Sequence, residues 1–419
     1  MQKSGNMPRP IRYPDTFLLV KKTFHTFAPQ GKSRITNKKL NFIMLNLVLK
    51  NILRTAVCCI CLYISASPVQ AQLTYHLGGR LFLDGGMYTN AGPEFNSGVG
   101  ITDVRLCGKA GWGDHWKVKL DVGFARNKVS LKDAFMQYHK QHHIFRAGHM
   151  MGMFSLDQSS SSNDGLFLTV ANVAGTFYPG RRVGVSYTYA APKVYASAGV
   201  FCGDGLNSDP KVSQGVNATG RLVYRPFHEE GKLLHIGSGA FFKKPDRIQE
   251  LGRTIELNNT GNTSLPAPDV FSVVLDNVRQ QWQWNVESII QYNRFFMQAE
   301  YMRMWVSRKT EPTYSTHGGY VQCGWVLRGR TLAYDMDDAL QVCAPGEHSV
   351  LVFGRFNCTD LNSNALMGGK MYDVSAGMNY YPFKYLILRV NYSHQWTDAY
   401  CAIGKQQWGM LQTRVQVKF

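Results

Sequence analysis

Apolar and polar residues alternate with a period of two along much of the chain beyond residue 77. In "WKVKLDVGF", Trp116, Val118, Leu120, Val122 and Phe124 share one face, with Lys117, Lys119 and Asp121 opposite. In "YDVSAGMNY", Tyr372, Val374, Ala376, Met378 and Tyr380 oppose Asp373, Ser375 and Asn379, and in "LILRVNYS" Leu386, Leu388, Val390 and Tyr392 oppose Arg389, Asn391 and Ser393. The final "MLQTRVQVKF" sets Leu411, Thr413, Val415, Val417 and Phe419 against Gln412, Arg414, Gln416 and Lys418. A terminal strand left unpaired would offer its open N–H and C=O groups to any neighbour. Closure into a barrel removes that edge and gives one face to lipid and the other to water.

Sixteen strand-like stretches follow this pattern, near 77–88, 99–111, 115–126, 129–140, 142–150, 181–190, 193–203, 215–227, 233–244, 282–292, 294–308, 315–328, 348–360, 369–382, 386–398 and 405–419. A soluble sandwich would alternate too, so the connections decide. With the N-terminus in the periplasm, the turns on that side are mostly tight: "WGD", "KQ", "AP", "EEGK", "N" and "FKY". The other side carries long loops, notably 151–180 and 245–281, and 329–347 is a long exception on the short side. Short periplasmic turns against long external loops predict an all-β, transmembrane antiparallel barrel of about 16 strands. Aromatics gather beside turns as interfacial girdles do: Tyr380, Tyr381, Phe383 and Tyr385 at one, Trp112 and Trp116 at another. No segment after the leader is apolar for 18 residues, which excludes membrane helices.

Composition adds little until charge is partitioned. The 419 residues carry a formal +18. Residues 1–71 hold 11 Lys and Arg against the single acid Asp15, leaving 35 bases and 27 acids, a net +8, for the rest. Spread along strands, that excess does not make a nucleic-acid binder. From Met44, "MLNLVLKNILRTAVCCICLYISASPVQAQ" runs from basic Lys50 and Arg54 through an apolar stretch to small Val69 and Ala71, so 44–71 is predicted to be a signal peptide cleaved after Ala71. Residues 1–43 are read as an over-extended start or a disordered basic tail, and 72–419 as the barrel. The six cysteines beyond the leader (Cys107, Cys202, Cys323, Cys343, Cys358 and Cys401) form no C-x-x-C pair and read as small apolar strand residues.

Several stretches resemble the phosphate-selective porin O and P family. They are "FRAGHMMGMFSLDQSSSSNDGLF" (145–167), "FYPGRRVGVSY" (177–187), "VSLKDAFMQY" (129–138), "QAEYM" (298–302), "YDVSAGMNYYPF" (372–383) and the 329–347 connection with "RGRTLAYD". The resemblance covers nearly all of 77–419. It implies an outer-membrane trimeric channel whose third external loop folds into the lumen and narrows it. Hydroxyls of Ser159, Ser160, Ser161 and Ser162 and the Asn163 amide can donate to an anion. Arg181 and Arg182 stand where that loop re-enters the wall, with guanidinium forks suited to oxyanions. Lys117, Lys119, Arg389, Arg414 and Lys418 have inward parity, and Arg80 and Arg105 are assigned to the same lumen face. For any one of these the plain reading is a solvated lumen charge. The chain departs from the family where selectivity is set: "LFLTVANVAG" (166–175) stands where members usually have "FMER", and Met151 falls near the family's lysine. A tip without those charges suits a general or organic-solute pore as well as a phosphate one.

The predicted function is passive diffusion of small hydrophilic solutes across the bacterial outer membrane, with an anion or phosphate preference as its finer form. The alternative is a structural or adhesive barrel with binding loops and a plugged lumen. Expected partners are outer-membrane lipid, the solutes, two further copies in a homotrimer, and the barrel-assembly machinery through terminal Phe419. No cofactor is expected. His139, His142, His143 and His149 straddle a turn on alternating faces, which favours solvated or interfacial roles over a metal site. The sequence carries no hydrolase, zincin or P-loop signature, so an enzyme is not predicted.

Overall fold

A computed structural model of the chain describes residues 73–125, 128–177, 180–202, 213–248 and 252–419. The expected signal peptide and basic tail lie outside the described residues. Twenty strands occur. They are β1 (Leu73–Thr89), β2 (Gly98–Trp112), β3 (Trp116–Gly123), β4 (Ser130–Lys140), β5 (His143–Met151), β6 (Arg181–Ala190), β7 (Val194–Cys202), β8 (Val216–Glu229), β9 (Lys232–Lys244), β10 (Ile255–Asn259), β11 (Phe271–Leu275), β12 (Val278–Tyr292), β13 (Phe295–Arg308), β14 (Tyr314–Arg328), β15 (Ala333–Asp335), β16 (Leu340–Val342), β17 (Ser349–Ser363), β18 (Leu366–Phe383), β19 (Leu386–Thr397) and β20 (Gln407–Lys418). Sixteen of them close into one antiparallel barrel in chain order, while β10–β11 and β15–β16 form separate hairpins.

Burial in the wall inverts that of a soluble protein. On β12, Gln281, Gln283, Asn285, Glu287 and Gln291 are buried while Trp282, Trp284 and Val286 are exposed. On β18, Asp373, Ser375 and Asn379 are buried while Tyr372, Val374, Met378 and Tyr380 are exposed. Apolar side chains on the outside and hydrogen-bonded polar ones within is the pattern a lipid-facing barrel requires. The seam joins β20 to β1, with Arg80 opposite Lys418 and Asp84 opposite Arg414. Pairing continues past the last strand: Phe419 N–H donates to Gly79 O at 3.1 Å and Gly79 N–H to Phe419 O at 3.0 Å. A Cβ on Gly79 would lie 2.7 Å from the backbone carbonyl oxygen of Arg105 and 2.6 Å from the Phe419 ring, so glycine lets both lie against this position. The chain end is therefore fully paired, and no edge is left.

The long connection on the short side has a structural role. Residues 329–348, with hairpin β15–β16, fold back into the lumen from the turn end. Arg221 donates to the carbonyls of Asp338 (2.9 Å) and Ala339 (2.8 Å), and Gln291 to that of Leu332 (3.1 Å). Tyr334 Oη lies 2.8 Å from His235 Nδ1, whose Nε2 is 3.0 Å from Glu287. From the opposite end, residues 252–277 turn inward as well. Gln412 and Gln395 meet the backbone of Asn262 and Ser264, and Tyr88 bonds Thr263. Hairpin β10–β11 packs Ile255, Leu257, Val273 and Leu275 into an apolar cluster with Met302, Met304, Tyr314 and Leu361 of the wall.

Candidate channel constriction

Loop residues 152–177 leave the wall after β5 and cross the lumen. Its first turn, Leu156–Ser159, is capped by Ser155, whose Oγ accepts from Gln158 N–H. That turn docks on the far wall, where Glu300 accepts from Ser155 Oγ (3.0 Å) and Leu156 N–H (3.2 Å), and Asn285 donates to Phe154 O (3.0 Å). A second turn, Asn172–Thr176, buries Val173 and Ala174 against β13, β14 and β17. A Cβ on Gly318 would come within 2.7 Å of Val173, so the wall is pared to glycine where the loop presses closest. Asp157 ties the two limbs by accepting from Ala171 N–H at 2.5 Å.

Between these anchors the wall holds the loop by its main chain. Arg389, wholly buried, donates to the carbonyls of Asn163 (2.9 Å), Gly165 (2.6 Å) and Phe167 (3.5 Å). Arg355 donates to Thr169 O, Asn379 to Leu166 O, Gln416 to Asn163 O and Gln283 to Phe177 O. Guanidinium and amide donors satisfy carbonyls that no ladder reaches, which is what an inserted loop needs inside a barrel.

The loop fills one side of the lumen and leaves a cavity of about 1190 Å³ on the other, against β1 to β6. Into it project Arg80, Arg105, Lys119, Arg146 and Arg181 from the wall and Ser159 to Asn163 from the loop. Arg80 spans the two, donating to Ser162 Oγ (2.8 Å), Asn163 Oδ1 (3.1 Å) and Asp103 (2.5 Å). Arg105 pairs with Asp103 at 3.0 Å and reaches Asp121 at 3.7 Å. Lys119 and Arg181 share Asp133, at 2.6 and 2.7 Å. Arg146 pairs with Asp338 of the inserted hairpin at 2.8 Å, and Lys418 with Asp164 at 3.2 Å. Eight Lys and Arg line the cavity against six acids, so the lining is positive, although six of those cations (Arg80, Arg105, Lys119, Arg146, Arg181 and Lys418) are ion-paired. Met150, Met151, Met153 and Phe135 add an apolar strip, with Lys119 and Arg146 over the Phe135 ring at 5.9 and 5.7 Å.

The sequence-assigned residues thus separate into two groups. Arg80, Arg105, Lys119, Ser159, Ser160, Ser161, Ser162, Asn163, Arg181 and Lys418 meet at this cavity. Lys117 is exposed at the turn end of β3, Arg182 pairs with Asp246 of the outer loop at 3.3 Å, Arg389 grips the loop backbone, and Arg414 is buried against Asp84. The sequence places Asp121 on the face of Lys117 and Lys119 without a site role, and assigns none to Asp103, Asp133 or Arg146 either. All share the inward parity of the cations, so alternation alone could have found them. Asp338 and its partnership with Arg146 had no such signal, because the inserted hairpin comes from a turn. His142 and His143 sit at the turn end, where His143 Nδ1 lies 2.8 Å from Tyr187 Oη and the His142 ring edges Tyr189 at 6.1 Å; His149, expected in a solvated or interfacial role, is instead buried toward the other end of β5, its Nδ1 2.7 Å from the carbonyl of Lys132.

The profile of the family described as Phosphate-selective porin O and P matches residues 79–419. A protein of Caulobacter vibrioides, described as uncharacterized, is 24% identical over 337 residues, covering 75% of this chain and 67% of its own. Among solved structures, an anion-selective porin from Comamonas acidovorans superposes with a TM-score of 0.57 at 12% identity, covering 83% of this chain and 100% of that one. The outer membrane channel DcaP of Acinetobacter baumannii gives 0.53 at 14% identity, with 83% and 97% covered. The trimer form of OmpT of Vibrio cholerae gives 0.56 at 10% identity, with 83% and 99% covered. These likenesses share the barrel fold.

Proposed function

The chain belongs to the phosphate-selective porin O and P family, outer-membrane channels for solute diffusion, and from that premise we propose that its channel prefers small anionic solutes. The observation that carries the reading is that Arg80, Arg105, Lys119 and Arg181 of the wall line one cavity together with Ser159 to Ser162 of the loop, Arg80 reaching Ser162 Oγ directly. A passing oxyanion meets guanidinium and ammonium groups on one side and neutral donors on the other, while Asp103, Asp121 and Asp133 keep any single site from holding it too tightly. The Met and Phe135 strip suits an anion with an apolar portion, in keeping with a loop tip that lacks the family's charged stretch.

The same reading includes a homotrimer. Toward the external ends, the lipid-facing level of β12, β13, β18 and β19 carries Trp282, Trp305, Tyr372 and Trp396. On β1, β2, β6 and β7 that level carries Met87, Val99, Ile101, Val183 and Val200, with Val99 83% exposed. Aromatic belts mark lipid, and an aliphatic sector without them is the face for a second copy. The V. cholerae OmpT structure described as a trimer shares the fold.

The test is the reversal potential across a planar bilayer holding the refolded protein under a KCl gradient, followed by phosphate addition. Chloride preference with phosphate reducing the current is expected. Cation preference would overturn the proposal, a weakly selective and phosphate-indifferent current would leave a general porin, and an absence of conductance would favour the adhesive barrel.

A further inference from the structure

The lipid-facing wall holds one concentration of positive charge that the lumen does not use. Arg303 stands on the outer face of β13, between inward Met302 and Met304, and its exposed guanidinium lies 5.2 Å from the Trp305 ring. Strand register places it between Trp284 of β12 and His317 of β14. Nearer the external rim come Arg279, exposed at the bulge where β12 begins and three residues before Trp282, then Lys309 and, on β9, Lys244. Among the described residues neither Arg279 nor Arg303 has an ion-pair partner; the Arg303 guanidinium lies over the Trp305 ring. The acids at this rim are Asp276 and Glu311. Glu311 is taken up by Arg308 (3.6 Å) and Asn277 (3.1 Å); Arg308 also donates to the backbone carbonyl of Asp276 (3.0 Å), and among the described residues no ion pair joins the Asp276 carboxylate to Arg279 or Arg303. Elsewhere on the wall the outcome differs: outward Lys370 of β18 pairs with Asp360 of β17 at 3.1 Å.

A cation on the lipid face is costly near the bilayer midplane, and the cost falls toward the interface. Arg303 is eight residues along β13 from Phe295 at the periplasmic turn. At about 3.4 Å per residue and a tilt of about 45°, it lies ~19 Å up an apolar band of about 25 Å. Its side chain then reaches the outer headgroup level, where an anion from outside the protein can complete it. Below it, Tyr301, Val286, Val321 and Trp325 present an apolar outer surface for acyl chains.

We propose that the outer face of β12–β14 is a binding site for a phosphorylated lipid of the outer leaflet, with Arg303 and Arg279 taking its headgroup phosphates and Trp282 and Trp305 packing beside them. Phosphate oxyanions match the guanidinium fork, and rim cations add long-range attraction.

The experiment places the full barrel in phosphatidylcholine nanodiscs containing a minor fraction of diphosphoryl lipid A, and compares wild type with Arg303→Gln and Arg279→Gln/Arg303→Gln. Lipid A retained per barrel is read by native mass spectrometry, with dephosphorylated lipid A as control. Arg303→Gln should lower affinity about tenfold, Arg303→Lys should restore part of it, and single-channel conductance should not change, because these residues are outside the lumen. Equal retention in wild type and the double variant, or equal retention of the dephosphorylated lipid, would overturn the proposal. Displacement of lipid A by millimolar inorganic phosphate would also overturn it, in favour of a free-ion site. Heat-modifiable migration verifies that each variant is folded.

Discussion

Arg414 and Asp84 meet through two parallel hydrogen bonds, Nε to Oδ1 at 2.6 Å and Nη2 to Oδ2 at 2.7 Å, directly across the seam where the last strand pairs with the first. Thr102 donates a third bond to the same carboxylate at 2.6 Å, and both charged side chains are buried. Removing one partner leaves a buried charge unpaired, at a cost of about 3–5 kcal/mol. Asp84→Asn and Arg414→Gln are each expected to lower the temperature at which the folded band converts on a gel, and the double variant to recover part of the loss. A double variant no better than either single one would show that closure does not depend on this pair.

Arg389→Gln removes the clamp on three carbonyls of the constricting loop. Charged hydrogen bonds contribute about 1.5–3 kcal/mol each, so the released loop population should rise at least tenfold. Single-channel records should then show more flicker and a larger mean conductance, with the barrel still folded. Unchanged noise would mean that the other loop anchors suffice.

Asp133 neutralises Lys119 and Arg181 together. Asp133→Asn should raise anion over cation permeability several-fold, and Lys119→Gln/Arg181→Gln should lower it, because lumen charge sets ion preference. Reversal potentials under a salt gradient measure both. Shifts of the same sign in the two variants would contradict the assigned roles.

Burial raises the pKa of the Asp157 carboxyl above its ordinary value, against the opposing pull of Arg355 and the Ala171 amide. A carboxyl whose pKa is raised binds its proton more tightly in the docked loop than in a released one. The resulting stabilisation is fullest in acid and is lost as pH climbs through the usual carboxylate range to the raised value. Loop flicker should therefore increase from acid to neutral pH in the wild type and stay flat in Asp157→Asn. A variant that keeps the wild-type slope would assign the dependence to another group.

The wall was legible because alternation, loop asymmetry and turn chemistry agreed: β6 begins and ends at the residues expected, 181 and 190, and most other barrel strands do so within three. Lumen charge was half legible. Parity placed Lys119 and Arg414 on the same inner face, but whether a side chain reaches open space depends on what fills the lumen beside it. Arg414 is closed off by Asp84, and Arg389 by the loop it holds. Hairpins β10–β11 and β15–β16 escaped notice because strands of 5 and 3 residues are too short for periodicity to register. Nothing local says that a turn will fold inward; the partners that draw it in, such as Arg221 and His235, lie about a hundred residues away.

The wall grips loop residues 152–177 largely through carbonyl oxygens, which every residue type possesses. Leu166 and Phe167 add apolar packing against Phe296, Leu351 and Phe353 to that grip, whereas Ser161 and Ser162 stand exposed at the cavity between the anchors. New chemistry can be written onto the constriction one residue at a time while the anchoring arginines stay as they are, which makes the selectivity of this barrel a replaceable part set in a permanent frame.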